Sequence, residues 1–412
     1  MQSRLAREAA ALYAVQAARA VAPLLVLPYL TRVLGPAAWG AVGFALAYAA
    51  LTAVPLESGL GLATQRAVAQ APRSERAALL TDGTAAKGLL ALLVVAATAA
   101  VRGGLPFFGD DARLFWSAGA LVVATAASPL WFYFGIERAG KAALVDAGFR
   151  SAALLLVVPL VNGPADAWRV PALQAGGAGL AALVLGGRLV RSGYAHRFSW
   201  SGTRAILHDG RGTLAYRMAA HAYLSGTVVL LGFVASPVAV GLYAAAERVY
   251  RGAQTLLGPL WRVLYPRMSR LHTSDPDSGR AALRTSLLAL GGAGLALGLV
   301  QLALSPFVPW LFGAEYEAAV PALAVLAAAH PLAAVAGVLA TQWLLPARRD
   351  RRVAWTTAAA AGLAATSTLA LGASMGALAG ALAIVLGEGT VAAALAFRYR
   401  AEVTRSASSV PS

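Results

Sequence analysis

Apolar residues in this chain come in long unbroken runs, not at the 3.6- or 2.0-residue periods of half-buried helices and strands. A helix needs about 20 predominantly apolar residues to cross a bilayer core of about 30 Å. Runs of that length recur from end to end. In hydrocarbon every backbone N–H and C=O must be paired within its own segment, so the runs predict helices. Twelve spans are predicted, near 9–31, 37–56, 83–101, 114–136, 143–161, 169–190, 213–235, 237–262, 282–304, 318–345, 353–372 and 376–397. The tenth is long and contains Pro321 and Pro331, which predict a kink. No connecting segment is large enough for a separate domain. The expected fold class is an all-α polytopic membrane protein.

Composition agrees with that pattern. Of 412 residues, 59% are hydrophobic and 13% are charged, about half the charged share of soluble domains. Cysteine is absent, which excludes disulfides, thiolate metal sites and thiol nucleophiles. The five histidines have no metal-ligand spacing, and no cofactor is expected. A net charge of +16 would suggest nucleic acid in a soluble protein, but here the basic residues lie between the apolar runs and report topology instead. With the N-terminus in the cytoplasm, 27 basic residues, Lys87 and Arg150 among them, fall on the cytoplasmic side and four on the other. Three more, Arg19, Arg248 and Arg251, fall inside spans. Both termini are expected in the cytoplasm, and the chain in a bacterial inner membrane. Arg4 and Arg7 precede the first run, but no small-x-small cleavage pattern follows, so that run is expected to stay as an uncleaved helix. Trp39, Trp116, Trp168 and Trp310 fall at span ends, where interfacial anchoring is expected.

A weak internal repeat relates residues 33–40 (VLGPAAWG) to 234–241 (VASPVAVG). Each places Pro-x-x-x-Gly at a turn between helices, and the offset of 201 is close to half the chain. The expected organisation is therefore two six-helix halves, 1–205 and 206–412, as parallel repeats.

Charges inside spans are costly and mark functional candidates. Arg19 lies near the middle of the first span, with Gln16 three residues earlier on the same face. It suits an anionic group in a water-filled cavity, or hydrogen bonds to carbonyls of a neighbouring helix. The eighth span carries Glu247, Arg248, Arg251 and Gln254. Glu247 and Arg251 are spaced to pair, and one acid with two arginines leaves a positive surplus suited to phosphate. The other reading is an ion-pair network that fixes packing, with Arg248 snorkelling to an interface. Glu388, between two glycines in the last span, Glu57 at the end of the second and His221 in the seventh are the candidates for proton or Na⁺ coupling. Each also has a packing or charge-pairing alternative. Asp275-Pro276-Asp277 resembles a glycosyltransferase metal motif but has no α/β domain around it, and Gly59-Leu60-Gly61 precedes no strand–helix unit.

Four segments resemble, in order, motifs of Wzx-type oligosaccharide flippases. Leu27-Pro28-Tyr29-Leu30-Thr31-Arg32-Val33-Leu34-Gly35-Pro36 with Trp39-Gly40 matches the family's opening. Glu57–Gly61 with Ala63-Thr64-Gln65-Arg66, then Trp131–Arg138, then Leu311–Ala319, match later ones. The resemblance implies membership of the multidrug/oligosaccharidyl-lipid/polysaccharide exporter superfamily and two six-helix lobes around a central cavity. It implies that the chain carries undecaprenyl-pyrophosphate-linked oligosaccharide from the cytoplasmic to the outer leaflet by alternating access, for surface polysaccharide such as O-antigen. Cavity arginines contact the pyrophosphate in related lipid flippases, a role that Arg19, Arg248 and Arg251 suit. A polysaccharide polymerase and a chain-length regulator are the partners implied. Within the superfamily the alternatives are a cation-coupled multidrug exporter, for which acids should dominate the cavity, and a lipid II flippase, which commonly has two further helices. A membrane polymerase or ligase needs a larger outer loop than any here.

Overall fold

The computed structural model describes residues 2–257, 276–347 and 349–408, with side chains described throughout except at 2–14, 16–20, 54, 55, 58, 212–224, 276, 277, 350 and 403–408. The described residues are helical apart from short turns. Nine stretches among them are long and apolar enough to cross a membrane, from Val21–Ala53 to Ala377–Glu402.

The first helix, α1 (Gln2–Pro55), has 54 residues. At 1.5 Å per residue it would measure about 80 Å if straight, far more than a bilayer core. It is broken at Gly35, whose backbone (φ 70, ψ 170) lies in a region open almost only to glycine. The break falls between the first two expected spans. Pro36 follows and Ser236 precedes Pro237 at the start of α10 (Pro237–Gln254), so both members of the expected repeat mark a helix boundary. The rest of the opening motif is also structural. The Tyr29 hydroxyl lies 2.6 Å from the Val158 carbonyl and 2.8 Å from that of Val161, binding the end of a neighbouring helix. Thr31 is buried and donates to the Leu27 carbonyl at 3.0 Å. Gly35→Ala is expected to cost about 1–3 kcal/mol of backbone strain, read as a lowered melting temperature in detergent.

The chain forms two compact units, Met1–Phe233 and Val234–Ser412. In the first, α1 packs on α4 (Ala112–Ala126) and α6 (Ala139–Leu155), and both of these pack on α8 (Arg169–Arg191). Between them lie α2 (Gly61–Gln70), α3 (Arg73–Ala100), α5 (Leu130–Gly135) and α7 (Val157–Leu160). The expected fourth span is broken at Pro129 into α4 and α5. The expected boundary at 205/206 falls inside α9 (Trp200–Val234), which is continuous. Gly210 and Gly232 bring α9 close to Leu60 and Phe44, where a Cβ would collide. Among the residues with described side chains, Ser225–Val234 of α9 is apolar.

In the second unit, α10 packs on α13 (Val320–Ala327) and α16 (Ala377–Ser408). Helix α11 (Pro276–Leu304) packs on α14 (Ala329–Val338), and α15 (Asp350–Met375) on α16. The short α12 (Val308–Phe312) leads into Gly313, whose φ of 112 turns the chain within the Leu311–Ala319 motif. Tyr316 of that motif is buried against Phe312, with ring centroids 6.1 Å apart. The expected kinked tenth span is a 3₁₀ turn, α13, α14 and a π-helical turn at Leu339–Leu344. The tryptophan expectation needs one correction. Trp116 and Trp310 are exposed, but Trp39 is only 3% exposed and packs in the interior instead of anchoring at an interface.

Candidate functional site

The second unit holds a line of polar side chains that starts on α10. Glu247 is buried, and its Oε1 accepts from Arg251 Nε at 2.8 Å and Nη2 at 2.6 Å, so the pair expected from the spacing is formed. Arg248 is half-buried and makes no ion pair among the described residues. Gln254 donates through Nε2 to the Tyr250 hydroxyl at 3.2 Å. The Tyr250 ring is 4.7 Å from that of His330 on α14. Glu388, on α16, interacts electrostatically with Tyr250. The acids at 247 and 388 formally balance the arginines at 248 and 251, so the surplus expected for the stripe alone is offset by a neighbouring helix.

The line continues beyond the residues singled out in the sequence. His330 is fully buried, with Nε2 2.8 Å from Gln301 Oε1 on α11. Gln301 Nε2 donates to the Leu323 carbonyl at 2.9 Å. That contact fixes the amide orientation, so Oε1 must accept and His330 must carry its proton on Nε2. His330 Nδ1 then has no hydrogen-bond partner among the described residues. The buried amide of Gln342, in the π-helical turn, has none either. Sequence reasoning passed over these three because it ranked ionised groups first. Their signal was a polar residue inside an otherwise apolar run.

The first unit holds a second buried polar centre. Lys87, expected among the basic residues of the cytoplasmic side, is fully buried within α3. The break at Pro129 leaves the Ser128 carbonyl outside the α4 ladder, and Lys87 Nζ donates to it at 2.9 Å. The ammonium also lies 5.4 Å from the centre of the Trp131 ring and interacts with Glu57. Glu57 sits in a π-helical turn, Leu56–Leu60, and the motif around Trp131 supplies the wall behind Lys87. Nearby, Asp82 is buried and accepts from the Ser199 amide at 2.9 Å. Asp146, fully buried, holds Arg150 at 3.1 Å, so Arg150 is the partner of a buried acid and not a free anchor.

Of the other candidates, Gln16 and Arg19 lie on α1 and His221 on α9, with side chains outside the described residues. Asp275 is also outside them. Among the described residues no cluster of His, Asp or Glu is arranged to hold a metal ion.

The model of one protein family, described as polysaccharide biosynthesis protein, matches residues 5–272. The chain belongs to that family. A curated relative from Escherichia coli (strain K12), named "Putative O-antigen transporter", is 26% identical over 346 residues, 83% of each chain. A second of the same name from Shigella dysenteriae is 23% identical over 311 residues, 74% of this chain and 77% of the relative. Among solved structures, an inward-facing multidrug resistance MATE family transporter of the MOP superfamily matches with TM-score 0.75 at 13% identity, covering 95% of this chain and all of that one. The lipid II flippase MurJ, in an inward closed conformation, matches with TM-score 0.70 at 12% identity, covering 94% and 87%. These likenesses show the expected fold, an all-α multi-pass membrane fold of about twelve helices in two lobes. The curated relatives are named as transporters.

Proposed function

We propose that this family member is a flippase that moves an undecaprenyl-pyrophosphate-linked oligosaccharide from the cytoplasmic to the outer leaflet by alternating access. The observation that carries this reading is Arg248, a half-buried cation on α10 with no ion pair among the described residues, beside a paired Glu247–Arg251. A half-buried arginine favours an anionic partner, and a lipid pyrophosphate supplies one. The curated relatives' name as O-antigen transporters supports the cargo class. Arg19 and Gln16 belong to the same proposal on sequence grounds. Deleting the gene and analysing the lipid extract tests it. Accumulation of the lipid-linked oligosaccharide with loss of a surface glycan is expected. Unchanged lipids and glycan would favour a drug exporter.

Glu388 is the proposed coupling group, supported by its electrostatic interaction with Tyr250 beside the charged pair. Glu388→Gln is expected to remove the dependence of transport on a proton or Na⁺ gradient. A variant that keeps that dependence would discard the assignment. Glu57 engages Lys87, which favours a packing role for it. The termini are proposed to be cytoplasmic, and a polymerase and a chain-length regulator are proposed as partners in the same pathway. The basic cluster at 348–352 supports this, with Arg349 and Arg352 both bound to Glu402. In the cysteine-free chain, Asp350→Cys should react with an impermeant maleimide only in inverted vesicles.

A further inference from the structure

The first unit carries a groove that nothing above uses. It lies between α6–α7 and α8 and encloses about 470 Å³. Large side chains, Leu156, Leu160, Leu173 and Leu180 among them, alternate in its walls with small ones at Ala152, Ala172 and Gly176. Gly177 is the close approach of the two helices, since a Cβ there would meet the Ala153 side chain and the Phe149 carbonyl. Gly176 faces the open space, with no atom within 4 Å of an added Cβ. Tight contact at one glycine and an opening at the next produce a furrow along α8.

The furrow opens on an apolar surface of the first unit. Both walls belong to stretches long and apolar enough to span a bilayer, and Leu155, Leu156 and Leu180 beside the furrow are at least half exposed. An apolar opening in such a stretch is filled by a hydrocarbon chain. One end is polar and is built from Trp168 and Arg169. Arg169 donates to the Leu160 carbonyl at 2.7 Å and pairs with Asp166 at 3.1 Å, yet its side chain stays 40% exposed. A guanidinium has five N–H donors, so it can still bind a phosphate at the groove's mouth. Tryptophan and arginine are the residues expected at headgroup level. A polyprenyl chain carries regular methyl branches, and the small residues Ala152, Ala172 and Gly176 leave recesses for them between the leucines.

We infer that this groove holds the polyprenyl tail of a lipid-linked cargo, with the phosphate end at Arg169. The inference rests on the flippase reading for the identity of the lipid. Native mass spectrometry of the purified, delipidated full chain tests it, with undecaprenyl phosphate and phosphatidylglycerol as separate probes. Gly176→Leu projects a side chain into the groove from a position where an added Cβ meets no atom within 4 Å. Gly187→Leu, on the same helix outside the groove and equally free of neighbours, is the control. Wild type and Gly187→Leu should retain undecaprenyl phosphate, and Gly176→Leu about tenfold less, because displaced methylenes lose their burial. Arg169→Gln should lower retention without occupying the groove. Equal retention by Gly176→Leu and wild type, at equal melting temperature, would remove the groove and leave the cargo reading standing. Loss of phosphatidylglycerol in its place would put an acyl chain there and overturn the assignment. No retention of undecaprenyl phosphate by wild type would count against groove and cargo together.

Discussion

Arg248→Ala should reduce glycan translocation about ten- to a hundredfold while abundance and melting temperature stay at wild-type values. The magnitude is that of one charge-assisted hydrogen bond to the cargo, about 1.5–3 kcal/mol. Stability should hold because Arg248 makes no ion pair among the described residues. Its neighbour should behave differently. Arg251 gives two N–H groups to the buried Glu247, so Arg251→Ala leaves a carboxylate without its partner and should lower stability as well as transport. Transport rates and thermal unfolding measured on both variants separate the two roles. Normal transport in Arg248→Ala would show an arginine that only snorkels to an interface, and the cargo contact would have to be sought elsewhere.

Lys87→Ala should destabilise the first unit strongly. It opens a cavity and leaves the Ser128 carbonyl, the Trp131 face and Glu57 without their cation. Cavity formation and an orphaned acceptor together are worth about 3–5 kcal/mol. Lys87→Met keeps most of the volume and should lose only about 1–3 kcal/mol. An exposed anchoring lysine would change stability by less than about 0.5 kcal/mol. Thermal unfolding of the two variants in detergent therefore decides between burial and anchoring, and wild-type melting temperatures for both would contradict the buried site.

The number and order of helices were legible because crossing a bilayer demands long apolar runs, and few other structures produce them. The family motifs were legible for a different reason. Gly35 and Gly313 hold backbone conformations that favour glycine, and Tyr29, Thr31, Trp131 and Tyr316 pack or hydrogen-bond at breaks between helices. These motifs therefore report architecture more than cargo. The Glu247–Arg251 pair was also readable, because i,i+4 spacing on a helix dictates it. Partners that come from other helices were not. Nothing in local sequence says that Lys87 meets the Ser128 carbonyl, that His330 meets Gln301, or that Glu388 lies near Tyr250. Charge counting placed Lys87 in the cytoplasm because it lies near the start of a span, where anchoring and burial look alike. The length of α9 was hidden as well. Its charged first half reads as a loop, yet glycines at 202, 210 and 232 let it run close against the first unit.

The most direct measurement of the central claim uses purified protein in proteoliposomes with undecaprenyl-pyrophosphate-linked oligosaccharide in both leaflets. A membrane-impermeant glycosidase added outside cleaves only the glycan it reaches. With active wild-type protein, cleavage should proceed beyond the outer-leaflet pool to near completion, and with Arg248→Ala it should stop close to that pool. Wild-type cleavage that stops at the outer-leaflet pool, with correctly inserted protein under an imposed proton or Na⁺ gradient, would contradict the flippase assignment.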